Sequence, residues 1–225
     1  MKEKILIIIP AYNEDKRIGE LLKKLSAIFS LKNVLVVDDG SIDNTAIVAE
    51  RSGSIVLSQK TNQGKGIALR AGFDYAIGKG YDAVITMDAD GQHDPGEIPM
   101  FLKKFKTSGV DLIIGTREQN LSEMPYLRFL VNKTTSLVTS ILAGVRVHDS
   151  QSGYRLIKKN LIKKISLKTG HFQMETEIIV KAAKANFSIG EMPIKTIYFK
   201  KFKSHINPFV DTLRFIRLAL RMLWR

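Results

Sequence analysis

The sequence predicts an α/β fold: a mostly parallel central sheet flanked by helices. Three observations carry this. Short runs rich in β-branched residues alternate with longer stretches of helical periodicity. The runs are apolar on both sides of the strand, as strands covered on both faces are. Polar clusters rich in carboxylates follow four of them, where ligands of open parallel sheets collect.

Taken in order, the strand candidates are "KILIII" (4–9), "NVLVVD" (33–38), "SIVLS" (54–58), "DAVITM" (82–87) and "DLIIGT" (111–116). Between the first two, Ile18, Leu21, Leu22, Leu25 and Phe29 recur at helical spacing within "DKRIGELLKKLSAIF". Residues 43–52, 66–79 and 96–107 also read as helices, so right-handed crossovers would join parallel strands. From about 124 the alternation stops. "LRFLVNKTTSLVTSILAG" reads as a helix, "DSQSGYRL" follows, and a second helix lies near 174–186. "IGEMPIKTIYF" reads as a returning strand. No Pro-, Gly- or Ser-rich linker divides the chain, which argues for one continuous domain.

The 225 residues, 44% hydrophobic and 25% charged, suffice for one well-buried domain. No cysteine is present, which excludes a disulfide framework and a thiolate zinc site and suits a cytosolic or cytosol-facing location. "ILIII" is too short for the core of an export signal, and no apolar stretch approaches the ~18–20 residues of a membrane span. The net charge is +13, and more than half of it lies in residues 195–225, where eight Lys/Arg face the single acid Asp211. Such a segment suits nucleic acid, an anionic membrane or phosphorylated substrates. Nucleic acid is disfavoured, because acids occupy the rim where a basic groove would be needed and no nucleic-acid motif is recognisable.

The densest cluster is "MDADGQHDP", residues 87–95. Asp88 and Asp90 stand at i and i+2, so an extended strand points both carboxylates the same way, and Gln92 adds a neutral oxygen. Oxygen-only donors favour Mg²⁺ or Mn²⁺ over zinc. The same residues also read as a carboxylate-rich turn capping the helix near Pro95. In "VVDDGSIDNT" one of Asp38 and Asp39 faces the rim, where a carboxylate can accept from the N–H edge of a nucleobase; Gly40 and a capping Ser41, Asp43 or Asn44 explain the stretch structurally.

"NQGKGIALRAG" places Lys65 at a helix start, which suits phosphate, but neither a dinucleotide fingerprint nor a phosphate loop is present. Arg117 closes the fifth strand and Arg128 opens the next helix; arginine forks match phosphate oxygens, although an isolated arginine is commonly a solvated surface residue. The four histidines show no ligand spacing. Asn207 and Pro208 start a last helix running to Trp224. Its Arg214, Arg217, Arg221 and Arg225 form a basic stripe, and Phe209, Leu213, Ile216, Leu220 and Leu223 an apolar face. That pattern suits a membrane interface, or packing on the domain or a second subunit.

"IIIPAYNE", "VVDDGSIDNT", "NQGKGIAL", "MDADGQHDP", "GTR" and "DSQSGYR" together resemble glycosyltransferase family 2, most of all its dolichol-phosphate mannosyltransferases and other polyprenyl-phosphate glycosyltransferases. The resemblance spans roughly residues 4–205 and implies a GT-A domain over 1–205, followed by a basic amphipathic helix over 206–225. It implies an inverting, Mg²⁺- or Mn²⁺-dependent transfer of a hexose of the mannose or glucose class. The donor would be a GDP- or UDP-sugar and the acceptor a polyprenyl or dolichyl phosphate. Pro10, Tyr12, Glu14 and Asp39 would line the nucleotide pocket with Lys65, Asp88 and Ala89 nearby; Asp90 and Gln92, with Asp88, would hold the metal. Arg117 and Arg128 would face the acceptor phosphate, and Asp149 would shape the sugar site. Asp90 and Arg117 are then the expected catalytic residues.

A lipid phosphate needs no general base, whereas the alternative saccharide acceptor of cell-surface polysaccharide synthesis does; Glu175 and Glu177 in "METE" are the candidates for that case. The expected place is the cytosolic face of a membrane, bound peripherally, with a membrane-protein partner or a second copy as further associations. Two departures stand out. Many relatives continue into transmembrane helices where this sequence has the basic helix, and "YFKKFKSHINP" has lysines where the family often carries an arginine before a glycine-containing turn.

Overall fold

The computed structural model describes residues 3–117, 126–171, 173–195, 197 and 208–223. Strands β1 (Ile5–Ala11), β2 (Val34–Asp38), β3 (Ile55–Ser58), β4 (Ala83–Thr86), β5 (Leu112–Arg117), β6 (Arg155–Lys158) and β7 (Ile189–Ile194) form one sheet in the order β3-β2-β1-β4-β6-β5-β7. β1 runs parallel to β2 and β4, β2 to β3, and β5 to β7. β6 is antiparallel to both of its neighbours, β4 and β5. The two reversals cancel, so every other strand points the same way.

The helices are α1 (Asp15–Ser26), α2 (Thr45–Arg51), α3 (Lys65–Gly78), α4 (Ile98–Ser108), α5 (Tyr126–Ala143), α6 (Lys159–Lys164), α7 (Met174–Lys184) and α8 (Pro208–Leu223). All five early strands and the helices between them lie where hydrophobic periodicity places them, within a few residues at the ends. The returning strand ends at Ile194; the rest of "IGEMPIKTIYF" lies mostly outside the described residues, as do Asn207, Trp224 and Arg225. Sequence reading missed β6 and α6. β6 has only four residues and opens on an arginine, so neither alternation nor an apolar run announces it.

β1 shows why the sheet is covered on both faces. All seven of its residues are buried. Ile5, Ile7 and Ile9 pack with Ile18, Leu22 and Leu25 of α1 and with Phe101 of α4, while Leu6 and Ile8 pack with Leu69 and Phe73 of α3 and Ile178 of α7. The period of two sends alternate residues to opposite layers. Each fully buried Ile or Leu contributes about 1.5–3 kcal/mol. The result is a three-layer domain whose strand ends are fixed by packing on both sides.

α8 packs against the domain through Leu218 and Met222, which are buried with Leu142 of α5 and Val180 of α7. Lys184 Nζ also donates to the Met222 carbonyl at 2.6 Å. Among the described residues, no helix is long and apolar enough to cross a membrane.

Candidate active site at the carboxyl rim of the sheet

Because β1, β2, β4 and β5 are parallel, their carboxyl ends share one rim. Pro10, Tyr12 and Glu14 stand at the end of β1, Asp39 follows β2, Asp88–Gln92 follow β4, and Arg117 ends β5. The antiparallel β6 starts where the others finish, so it delivers the preceding turn, from Asp149 to Tyr154, to the same rim. Glu175 arrives there in the first turn of α7. The convergence expected from the polar clusters is therefore real, and the missed strand adds a fifth segment to it.

At its centre is a lysine between two carboxylates. Lys65 Nζ lies 2.6 Å from Asp88 Oδ1 and 2.8 Å from Glu175 Oε1. Burial opposes the charge on Lys65, but the two carboxylates overcome it and raise its pKa. Burial likewise pushes Asp88 up, and the opposing charge of Lys65, with that of Arg117, outweighs this, holding it at about 2. Lys65 is thus a buried counterion for Asp88 and Glu175. Gly153 makes the room: a Cβ there would stand 2.8 Å from Lys65 Nζ and 2.9 Å from either Asp88 carboxylate oxygen. The Oε2 of Glu175 is buried with no hydrogen-bond partner among the described residues.

Asp90 has the opposite environment. Burial and the nearby charge of Asp88 push its carboxyl up to about 6, although its Oδ1 accepts from Gln92 N at 2.9 Å. Such a carboxylate is relieved by an added cation, which is what a metal ligand requires. Gln92 is buried beside it, as is Ala89. Among the described residues no three His, Cys, Asp or Glu side chains converge to hold an ion. The side chains that would offer oxygen donors to an ion here are Asp90, its Gln92 neighbour and the salt-bridged Asp88. Oxygen donors of this kind fit Mg²⁺ or Mn²⁺.

His93 has a structural task. Its Nδ1 accepts from Asp88 N at 3.0 Å, and its ring stacks on Tyr154 with centroids 5.0 Å apart. An accepting Nδ1 requires a neutral ring, and burial indeed depresses its pKa to about 4.

Arg117 and Asp149 form a bidentate pair: Nε to Oδ2 at 2.7 Å and an Nη to Oδ1 at 2.8 Å. Asp149 is fully buried, and Arg117 holds its carboxyl below the ordinary range against the cost of burial. The next turn is fastened by Arg155, which is 1% exposed and donates to the carbonyls of Ser150, Ser152 and Glu175 at 2.8, 2.7 and 2.6 Å. Burial lowers its pKa to about 10, still leaving it charged at neutral pH. One guanidinium thus locks the turn before β6 to the start of α7.

At the end of β2, Asp39 is buried and accepts from Gln63 N at 2.9 Å and Gly64 N at 2.7 Å. Its carboxylate thereby ties the end of β2 to the loop before α3. Gly64 sits at φ +100°, and a Cβ there would come within 2.4 Å of His171, so only glycine serves. The loops after β1 and β2 are clamped together: Asn13 N donates to Ser41 Oγ, Ile42 N to Asn13 Oδ1, and Glu14 N to Thr45 Oγ1. Pro10 is buried beneath them and Tyr12 is half-buried at the rim.

The two base candidates part company. Glu175 pairs with Lys65. Glu177, two residues on, accepts from the backbone N–H of Lys168 and Thr169, the Thr169 hydroxyl and Lys181 Nζ. Arg128 falls in the first turn of α5, and its side chain lies outside the described residues. Sequence reading missed the roles of Gly153 and Arg155, although both stand in "SGYR".

The chain matches the model of glycosyl transferase family 2 over residues 6–174. It is 34% identical over 216 residues to a UDP-N-acetylglucosamine–dolichyl-phosphate N-acetylglucosaminyltransferase from Methanococcus voltae, covering 86% of each chain. It is 31% identical over 204 residues to a polyprenol monophosphomannose synthase from Mycolicibacterium smegmatis, covering 85% of this chain and 77% of that one. Among solved structures, glucosyl-3-phosphoglycerate synthase from Mycobacterium tuberculosis, in complex with Mn²⁺, UDP and glucosyl-3-phosphoglycerate, superimposes with a TM-score of 0.74 at 19% identity. The match covers 98% of this chain and 78% of that one. The likeness establishes the expected GT-A fold.

Proposed function

We propose that this chain, which belongs to glycosyl transferase family 2, moves a hexose from a nucleotide-diphosphate sugar to the phosphate of a polyprenyl lipid with inversion at the anomeric carbon. The observation that carries the choice of acceptor is the state of the base candidates. Glu175 and Glu177 are 3% and 2% exposed and each is ion-paired to a lysine, at 2.8 and 2.6 Å. A hydroxyl acceptor needs a carboxylate to take its proton. A phosphate monoester, with a second pKa of ~6, is already anionic and needs none. The two named relatives, whose names carry a dolichyl phosphate and a polyprenol monophosphate sugar, support the same choice.

In this reading an oxygen of the lipid phosphate attacks the anomeric carbon as the bond to the nucleoside diphosphate breaks. Arg117, oriented by Asp149, carries positive charge to the acceptor phosphate together with Arg128, so that the attacking oxygen is held in line. Asp39 and the loops after β1 and β2 shape the nucleotide side. Asp90 with Gln92 would hold a divalent ion, beside an Asp88 already neutralised by Lys65. When bound, Mg²⁺ or Mn²⁺ supplies the positive charge that stabilises the departing diphosphate. The reaction takes place peripherally at the cytosolic face of a membrane.

The test is to incubate the protein with Mn²⁺ and a panel of GDP- and UDP-hexoses, with and without polyprenyl phosphate. Nucleoside diphosphate release that depends on the lipid phosphate is expected. Release that depends instead on added saccharides would replace this reading with the saccharide-acceptor one.

A further inference from the structure

Asp149 aims the Arg117 guanidinium, and the backbone on either side of Asp149 is gripped by side chains from other elements. Val147 N donates to Ser140 Oγ at 2.9 Å, and Ser150 N donates to Ser136 Oγ at 3.0 Å. The Ser150 carbonyl accepts from Arg155 at 2.8 Å. Between them, His148 N donates to Glu191 Oε1 at 2.7 Å, and His148 Nδ1 meets Glu191 Oε2. A carboxylate oxygen only accepts, so the ring nitrogen is the donor. One glutamate thus holds His148 by its main chain and its ring together.

Glu191 differs from the other grips in where it stands. Ser136 and Ser140 lie on α5 and Arg155 opens β6, whereas Glu191 is on β7, parallel to the strand that ends in Arg117. In that ladder Glu191 pairs with Ile114, and Ile194 pairs with Arg117. Three residues of strand, about 10 Å, separate the two levels. The contacts close a ring: from Arg117 to Asp149, back one peptide to His148, across to Glu191, and along the β5–β7 ladder to Arg117 again. Within this ring Arg117 N also donates to Asp149 Oδ2 at 3.2 Å.

The surroundings of Glu191 argue against an idle surface charge. β7 stands at one end of the sheet among the described residues, and a charge on such a strand ordinarily points to water and deters pairing with another chain. The Glu191 side chain is only 19% exposed, and both of its oxygens are turned onto one residue. A carboxylate accepting from a backbone N–H makes one of the stronger hydrogen bonds in a protein. Placed on the residue before Asp149, that bond fixes where the buried carboxylate sits.

We propose that Glu191 is a positioning residue for Arg117: it clamps His148, thereby fixes Asp149, and so sets the direction of the guanidinium fork. The inference deepens the acceptor reading, on which its effect on turnover rests. Without the clamp, the 147–150 turn keeps its grips from α5 and β6 but loses its tie to the β5–β7 pair. The bidentate contact with Arg117 then loosens, and the acceptor phosphate is held less well in line. The donor side, built on the ends of β1, β2 and β4, is left as it was.

The experiment pairs kinetics with NMR of the arginine side chain. Glu191→Ala should raise the KM for polyprenyl phosphate at least about tenfold, the scale of one hydrogen bond to a charged group, and leave the KM for the nucleotide sugar unchanged. Glu191→Gln keeps an oxygen for His148 N and should stay within about threefold of wild type. In nitrogen–proton correlation spectra, the Arg117 Nε–H resonance, identified by its loss in Arg117→Lys, should shift in Glu191→Ala and return in Glu191→Gln. Glu191→Thr suits a strand and is too short to reach His148; it should repeat the alanine result, and replaces that variant if alanine prevents folding. A lower melting temperature with a wild-type acceptor KM and an unmoved Arg117 resonance overturns the proposal. An equal rise in both KM values does the same. If wild type transfers sugar to no polyprenyl phosphate, the acceptor reading falls and the resonance decides alone: shifted, Glu191 still orients this guanidinium; unshifted, it does not.

Discussion

Lys65 Nζ lies 2.8 Å from Glu175 Oε1, and this contact joins the first turn of α3 to the first turn of α7 behind Asp88. Removing one partner of a buried ion pair strands the other, at a cost of about 3–5 kcal/mol. Lys65→Met is therefore expected to lower the unfolding free energy measured by urea titration by that amount and to cost turnover as well. Adding Glu175→Gln to Lys65→Met should recover part of the stability, because one stranded charge is gone. Purely additive losses in this double-mutant cycle would contradict the pairing.

Gly153→Ala tests the same cluster by volume. Its Cβ would meet Lys65 Nζ and the Asp88 carboxylate under 3 Å, so the ion pair must shift. A displacement of about 1 Å in a catalytic constellation can cost 10²-fold in rate. A kcat loss approaching that, with a nearly unchanged melting temperature, is expected; wild-type kcat would show that the cluster is free to move.

Asp90 should display a trade-off between stability and activity. Burial and the charge of Asp88 disfavour its ionised form in the metal-free protein. Asp90→Asn is thus expected to raise the metal-free Tm by roughly 2–4 °C, about 1 kcal/mol for a chain of this size. Turnover should fall by about 10³-fold, on the scale of losing electrostatic stabilisation of a leaving group. Chelation of the divalent ion should silence wild type to the same degree, and metal-free turnover near the normal rate would remove Asp90 from this role.

Glu177 gives a pH dependence. Burial raises its pKa, but hydrogen bonds from Lys181, Thr169 and Lys168 prevail and hold it below the usual 4.5. A depressed acid stabilises the fold fully above the unfolded pKa and loses this contribution as pH falls through the folded one. The stability gap between wild type and Glu177→Gln should accordingly be constant near neutrality and shrink below about pH 4.5. A gap that persists unchanged to pH 3 would mean that the carboxylate is not what these groups hold.

Much of the site was legible because its signals are local. Apolar runs ending in "PAYNE", "DDGS", "DADGQ" and "TR" announce strands whose polar ends must share a rim once the strands are parallel. β6 was illegible because its information is not in its own four residues. Arg155 belongs in a buried strand only because three carbonyls, one of them on α7, converge on it.

The glutamates of "METE" make the same point at the scale of chemistry. The sequence by itself determined the alternating strands and helices, the rim and its acids, and the basic apolar-faced final helix, since each is a matter of periodicity along a few neighbouring residues. Only the tertiary structure decided which charges are spent. Two glutamates two positions apart on a helix point in different directions, one to Lys65 from the start of α3, the other to Lys181 and the backbone at Thr169. It also turned Asn132, Ser136 and Thr139 of α5 inward and Leu130, Leu137 and Ile141 outward. Counterions and faces are chosen by distances of a few ångströms between segments far apart in the chain, and no local pattern encodes those distances.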